Sequence, residues 1–156
     1  MLWAALLIRP DHDRQPDDQL RAIATWALQF TPRVAVADGA VVMEVEGSIR
    51  LFGGRRALRD RVVAEGGELG VTAVAWAPTG LAAIAFARAG RENGVRGPLP
   101  TLLDTLPMET LSAVLPYRTT LAQLGCRTLG DVRALPRSGI VRRFSRLLLT
   151  ALDQTY

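Results

Sequence analysis

Hydrophobic and polar positions alternate along this chain in two distinct styles. Leu2 to Ile8 is an uninterrupted apolar run of strand length, cut off by Arg9-Pro10 and the polar stretch Asp11 to Asp17. It predicts a buried strand followed by a loop. Leu20, Ile23, Ala24, Ala27 and Leu28 then recur at helical spacing behind Asp17 and Asp18, whose charge suits a helix N-terminus. The spacing predicts an amphipathic helix, stopped at Thr31-Pro32. Val34 to Ala37 and Val41 to Glu46 are β-prone runs joined by Asp38-Gly39-Ala40, and predict a hairpin. Within the second run Val41, Met43 and Val45 share one face while Glu44 and Glu46 share the other, the pattern of a half-exposed strand.

Gly53-Gly54 opens a charged helix carrying Leu58 and Val62 and closed by Gly66-Gly67. Val71 to Ala77 reads as a further strand, and Pro78-Thr79 leads into a helix from Leu81 to Arg88 with Thr79 as its N-cap. The order strand, helix, strand, strand, helix, strand is the split βαβ pattern of a ferredoxin-like sheet. That architecture serves many unrelated functions, so it selects none.

After Gly90 to Pro100, a Gly-, Pro- and Arg-rich stretch that reads as a linker, the strand signals stop. Leu102 to Leu115 and Thr119 to Leu124 give short helical patterns. Leu124-Gly125-Cys126 has the hydrophobic-glycine-hydrophobic form of a helix-hairpin-helix turn, and Thr128 with Asp131 makes a capping box for the next helix. A last helix, Arg137 to Asp153, sets Ile140, Phe144, Leu147, Leu148 and Ala151 on one stripe beside Arg142, Arg143 and Arg146. The expected organisation is an α+β unit over residues 1–97 and an all-helical unit over 98–156.

At 156 residues, 49% of them hydrophobic, the chain is long enough to bury one sizeable core. No apolar run approaches the roughly 18 to 20 residues needed to span a bilayer, and Met1 to Ile8 lacks the basic leader of a signal peptide. The expected location is the cytoplasm, without a membrane partner. One cysteine, Cys126, and one histidine, His12, allow neither an internal disulfide nor a Cys/His zinc site, and no cofactor is expected. The net charge is +4, and every basic residue is an arginine. Arginine suits phosphate through its planar fork of donors, although an all-arginine inventory also follows from a GC-rich genome.

At a helix-hairpin-helix turn, backbone amides point outward without partners, and a DNA phosphate satisfies them while arginines add charge. Such contacts carry no sequence information and are salt-sensitive. The competing reading is an ordinary helix pair with a solvated arginine face. Glu44 and Glu46 have a solvated strand face as their usual fate, His12 an exposed loop, and Trp3, Trp26 and Trp76 a core or half-buried setting.

Three stretches, Trp26-Ala-Leu-Gln-Phe-Thr-Pro-Arg33, Glu44-Val-Glu-Gly-Ser-Ile-Arg-Leu-Phe-Gly-Gly54 and Gly70-Val-Thr-Ala-Val-Ala-Trp-Ala-Pro78, resemble the palm of Y-family DNA polymerases, most closely its ImuB branch. Leu121-Ala-Gln-Leu-Gly-Cys-Arg-Thr-Leu-Gly-Asp-Val132 resembles that family's thumb, where a helix-hairpin-helix grips the duplex backbone. The matches run in the family's own order over roughly residues 20 to 155. The resemblance implies a palm piece followed by a small helical thumb. It implies DNA as partner through Gly125, Arg127, Thr128 and Gly130 at the hairpin, supported by Arg137, Arg142 and Arg143.

The departures from the family matter as much. An active palm carries an adjacent Asp-Glu pair that holds two divalent metals. When Met43-Glu44 is set on the family's Leu-Asp, the pair falls on Gly39-Ala40. The triphosphate-binding lysine falls on Gly80, and no acid stands at Leu6 to Pro10, where the first metal aspartate is expected. Gly53-Gly54 followed by Arg55-Arg56 resembles the glycine pair of nucleotide cyclase palms with its acids replaced. The fingers segment and the little-finger domain have no counterpart in the sequence. The resemblance thus implies a non-catalytic accessory in translesion synthesis and SOS mutagenesis. By family its partners are a replicative-type error-prone polymerase, a RecA-like accessory and the sliding clamp, although the segments that usually bind them are not found here. The alternatives are an active polymerase with displaced carboxylates at Asp38, Glu44 and Glu46, or a truncated remnant without function.

Overall fold

The computed structural model describes residues 1–92 and 96–156. Its sheet is organised around the predicted hairpin. Asp38 and Gly39 both have positive φ, 56° and 76°, the geometry of a two-residue type I′ turn whose twist matches that of the strands it joins. It links β2 (Val34–Ala37) to β3 (Ala40–Glu44), with Ala37 opposite Ala40 and Val34 opposite Met43. β1 (Trp3–Ile8) lies antiparallel between β3 and β4 (Val71–Ala77), giving the strand order β2-β3-β1-β4. With α1 (Pro16–Ala27) joining β1 to β2 and α2 (Arg55–Glu68) between β3 and β4, this is the ferredoxin-like arrangement that the pattern predicts.

Each face of the sheet has its own core. Leu6, Met43 and Val45 meet Leu20 and Ile23 of α1 and Leu58 and Val62 of α2 on one side. Ala5, Val42 and Ala75 meet α3 (Gly80–Arg88) on the other. The small residues Ala82, Ala83, Ala85 and Ala87 allow α3 a close approach. Thr79 caps it as expected, its Oγ1 accepting from the Ala82 amide at 3.1 Å. Because α3 covers the second face, β3 is buried at all five positions, and the half-exposed strand suggested by Glu44 and Glu46 is corrected. Glu44 ends the strand with its Oε1 accepting from the Glu46 amide at 3.0 Å, while Glu46 starts a 3-10 turn, Glu46–Ser48.

α2 runs through Gly66 and Gly67 instead of stopping there. Gly66 lies against Val71 and Trp26, where a side chain would crowd both, so its smallness serves helix-to-sheet packing within the helix. Trp26 in turn meets Phe30 edge-on, with ring centroids 5.2 Å apart.

The C-terminal part contains α4 (Leu99–Asp104), α5 (Arg118–Gln123), α6 (Leu129–Arg133), α7 (Arg137–Arg143) and α8 (Arg146–Thr155). The helical pattern from Leu102 to Leu115 is broken after Asp104 and continues as 3-10 turns at Met108–Thr110 and Ser112–Tyr117, because Pro107 has no amide to continue an α-helix. The single last helix also divides. Phe144 leaves helical geometry to pack on Tyr117, with centroids 5.3 Å apart. Ser145 then starts α8 by accepting from the Leu148 amide at 3.0 Å, and Leu147 leaves the apolar stripe with 78% of its surface exposed.

The expected linker, Gly90 to Pro100, falls partly on 93–95, outside the described residues, and its last two positions already belong to α4. Phe86 and Ile84 of α3 share one buried cluster with Leu103, Leu121, Val132 and Leu148, and Thr79 Oγ1 donates to the Thr155 carbonyl at 2.9 Å. α3 is thus the shared wall between sheet and helices. Among the described residues no helix is long and apolar enough to cross a membrane.

Candidate nucleic-acid interface

The α5–α6 turn is shaped by its own hydrogen bonds. α5 ends where Gly125 takes a positive φ of 87°. The Gly125 amide donates to Ala122 and the Cys126 amide to Leu121, both at 3.0 Å, the paired bonds of a Schellman closure. Cys126 and Leu121 are both buried beneath it, and burial pushes the Cys126 thiol pKa up. The predicted capping box is present: Thr128 Oγ1 accepts from the Asp131 amide at 3.1 Å, and Asp131 Oδ2 accepts from the Thr128 amide at 3.0 Å. The same oxygen also accepts from the Arg127 amide at 2.9 Å. These two amides hold the Asp131 carboxyl below its ordinary pKa.

The picture of outward amides awaiting a phosphate is therefore corrected. Those of Gly125, Cys126, Arg127, Thr128 and Leu129 all have acceptors within the chain, the last being the Leu106 carbonyl at 2.9 Å. Gly130 is placed by packing. A Cβ there would lie 2.8 Å from the Asp104 Cβ and 2.9 Å from the Asp104 carbonyl oxygen, so only glycine lets α6 approach α4 this closely. Asp104 is engaged in turn, taking a two-pronged ion pair from Arg133 and a 2.6 Å hydrogen bond from the Tyr156 hydroxyl.

What faces solvent is guanidinium. Arg127 is exposed beside the turn. Arg142 and Arg143 close α7, where positive charge complements the helix C-terminus, and Arg146 follows at the start of α8. All three are exposed, and among the described residues none of them takes part in an ion pair. Arg137 differs: both of its terminal nitrogens donate to Asp153, at 2.7 and 2.9 Å. The structure thus gathers Gly125, Arg127, Thr128 and Gly130 at one turn and Arg142 and Arg143 at the α7–α8 bend, while Arg137 is committed to α8. No hydrogen bond or ion pair among the described residues links the turn to the bend.

The second place to look is the β2–β3 turn, where a polymerase palm would carry its carboxylates. Gly39 and Ala40 occupy it. The adjacent Asp38 is clamped by Arg88, which reaches its carboxylate at 3.1 Å and its carbonyl at 2.5 Å, and also donates to the Thr110 carbonyl and Ser112 Oγ. Glu44 stands at the far end of β3, six residues or roughly 20 Å away at about 3.3 Å per residue. It lies 3.5 Å from Arg33, and Glu46 accepts an ion pair from the N-terminal amine at 2.9 Å. Among the described residues no three acidic, histidine or cysteine side chains are close enough to hold a metal ion. Sequence reasoning missed the Arg88 clamp and the Asp104–Arg133–Tyr156 cluster. Both join residues far apart in the chain, and no local signal announces either.

No family model matches this chain. It is 33% identical over 153 residues to the protein ImuB of Caulobacter vibrioides strain NA1000 / CB15N, an alignment covering 95% of this chain and 33% of that protein. The chain therefore spans about one third of the length of the curated relatives it matches. Among solved structures, a Dbh ternary complex with partially disordered substrates superposes with a TM-score of 0.64 at 18% identity, covering 95% of this chain and 48% of that one. The insertion ternary complex of Dbh DNA polymerase gives 0.60 at 17% identity, with 90% and 45% covered. DinB from Sulfolobus solfataricus gives 0.58 at 19% identity over the same shares. At this level of identity these likenesses establish the fold, and the ImuB alignment establishes the branch. The chain is an ImuB-like homologue of the Y-family DNA polymerases.

Proposed function

We propose that this chain is the palm-like unit, residues 1–97, and the thumb-like unit, residues 98–156, of a DNA-damage-tolerance protein that grips the DNA backbone and does not polymerise. The observation that carries the non-catalytic part is the β2–β3 turn. A two-metal mechanism needs carboxylate oxygens converging on one point, whereas Gly39 and Ala40 carry none and Asp38 is held by Arg88. Glu44 and Glu46 stand at the other end of β3, bonded elsewhere. At the family's lysine position, Gly80 offers no cation to a triphosphate. The similarity to ImuB supports a role in translesion synthesis and SOS mutagenesis. An error-prone replicative-type polymerase, a RecA-like accessory and the sliding clamp are the partners this role would call on.

DNA contact in this reading is electrostatic. Arg142 and Arg143, with Arg127, supply the charge, and Gly125, Thr128 and Gly130 hold the turn beside which Arg127 stands. Arg137 would contribute by exchanging Asp153 for a phosphate. The test is fluorescence anisotropy of a labelled primer-template at two salt concentrations. Affinity is expected to ignore sequence and to fall steeply with salt. R142E/R143E is expected to reduce the slope of log K against log salt by about 2, since each phosphate contact contributes roughly 0.9. Unchanged affinity and slope in that variant would remove these arginines from the interface, and magnesium-dependent primer extension by the unaltered chain would overturn the non-catalytic reading.

A further inference from the structure

On the α2 side of the sheet, opposite the helices α5 to α8, lies a cleft of about 590 Å³. We propose that it binds a nucleotide through its phosphates. Leu2, Ile49, Leu58 and Trp76 make its floor, and Arg55, Arg56, Arg59 and Arg96 line it as well. Such a volume falls within the roughly 300 to 1,000 Å³ of small-molecule sites. An apolar floor beneath a cationic rim suits a ligand with a flat ring at one end and phosphate at the other.

Two features beside the cleft leave hydrogen-bond donors without partners. Arg55 and Arg56 are the first residues of α2, no side chain caps that helix, and its first turn holds no acid. Cations at a helix N-terminus oppose the macrodipole, and the unbonded amides there favour a negative ligand. The buried Trp76 is the second feature. Its indole Nε1 is the single buried side-chain nitrogen or oxygen among the described residues with no hydrogen-bond partner. A donor in that state is destabilising until an acceptor reaches it.

Of the rim arginines, Arg59 is paired with nearby acids, Glu92 and Asp60. Glu92, which also lines the cleft, is paired with Arg59, and this contact keeps its carboxyl ionised. Glu46, the acid that acts on Arg55, is bonded to the N-terminal amine. Arg55 and Arg56 are exposed, and among the described residues neither takes part in an ion pair. Nucleotide binding here is independent of the DNA-backbone contact proposed for the C-terminal helices, since the two surfaces lie on opposite faces of the sheet.

Isothermal titration of the full chain at low salt with ATP, pyrophosphate and adenosine tests the proposal. ATP is expected to bind, pyrophosphate to bind more weakly and to compete with it, and adenosine not to bind. R55Q/R56Q, checked for an unchanged Tm without ligand, is expected to lose at least tenfold in ATP affinity. No heat with ATP at millimolar concentration, or equal affinity in R55Q/R56Q, overturns the proposal. A 5′-phosphorylated oligonucleotide that displaces ATP would assign the cleft to the phosphate of a strand, and one that fails to displace it would assign the cleft to free nucleotides.

Discussion

The sheet and the C-terminal helices of this chain reach order by different physical routes. β1 is an apolar strand flanked on both sides, and Ala4, Ala5 and Leu6 within it are completely buried. Its register is fixed by repeated cross-strand contacts, and no one of them is decisive. α4 to α7 are six, six, five and seven residues long. Each is shorter than the roughly 12 to 15 residues an isolated helix needs to persist in water. Beyond the buried cluster they share with α3, these helices and α8 are held by individual contacts: the capping box at Thr128, the Ser145 cap, the missing side chain of Gly130, and the pairs Arg133–Asp104 and Arg137–Asp153. Redundant contacts stabilise the one region and individual contacts the other.

The strongest way to break that contrast is at the wall the two regions share. Phe86 is 1% exposed and packs in the cluster that unites α3 with the C-terminal helices. Phe86→Ala is expected to cost about 3–5 kcal/mol, measured by urea unfolding, with a transition that remains single. A two-step transition would mean that α3 belongs to the sheet alone. Next in size is Gly130→Ala. Relieved of context, the change favours a helix by up to about 1 kcal/mol. Against the Asp104 backbone it is expected to destabilise by about 1–3 kcal/mol, so the sign alone decides whether the α4–α6 approach is as close as it stands here.

The same contrast explains what the sequence disclosed. Apolar runs and helical spacing place the strands and α-helices of the sheet region, though not its 3-10 turns at Glu46–Ser48 and Arg50–Phe52, because long elements repeat their signal and burial on one face repeats with them. β3 was misjudged, since Glu44 implies a solvent face and the covering helix α3 lies 36 residues further along. In the C-terminal region the capping box was legible at Thr128 and Asp131, a local motif. The division of the last helix was not, because Phe144 leaves the helix to meet Tyr117, a partner that spacing does not announce. The turn residues also carry structural tasks that the motif does not announce. Gly130 stands out in the motif, yet its structural task is contact with Asp104. The Arg88 clamp on Asp38 joins positions 50 residues apart and has no local signature at all.

Smaller effects sharpen the comparison. Thr128→Ala removes the acceptor for the Asp131 amide and is expected to cost about 1 kcal/mol, read as a lower urea midpoint with an unchanged slope. The cap at Thr79 probes the shared wall in the same way, since its Oγ1 both accepts from Ala82 and donates to Thr155.

The gentlest probe is acid. Asp104, Asp131 and Asp153 are all held below the ordinary carboxylate range, by Arg133, by the Arg127 and Thr128 amides and by Arg137 respectively. A depressed pKa means that the folded state binds fewer protons than the unfolded one. The stabilisation is therefore complete above the unfolded value near 3.9 and is lost as pH falls through the lower folded values. The described strands contain one acid, Glu44. Amide exchange followed from pH 5 to about pH 3 is expected to show protection falling in α6 and α8 before β1 and β3. Simultaneous loss in both regions would show that the shared core at Phe86 transmits the acid effect across the whole chain, and that the individually fixed helices are no more fragile than the sheet.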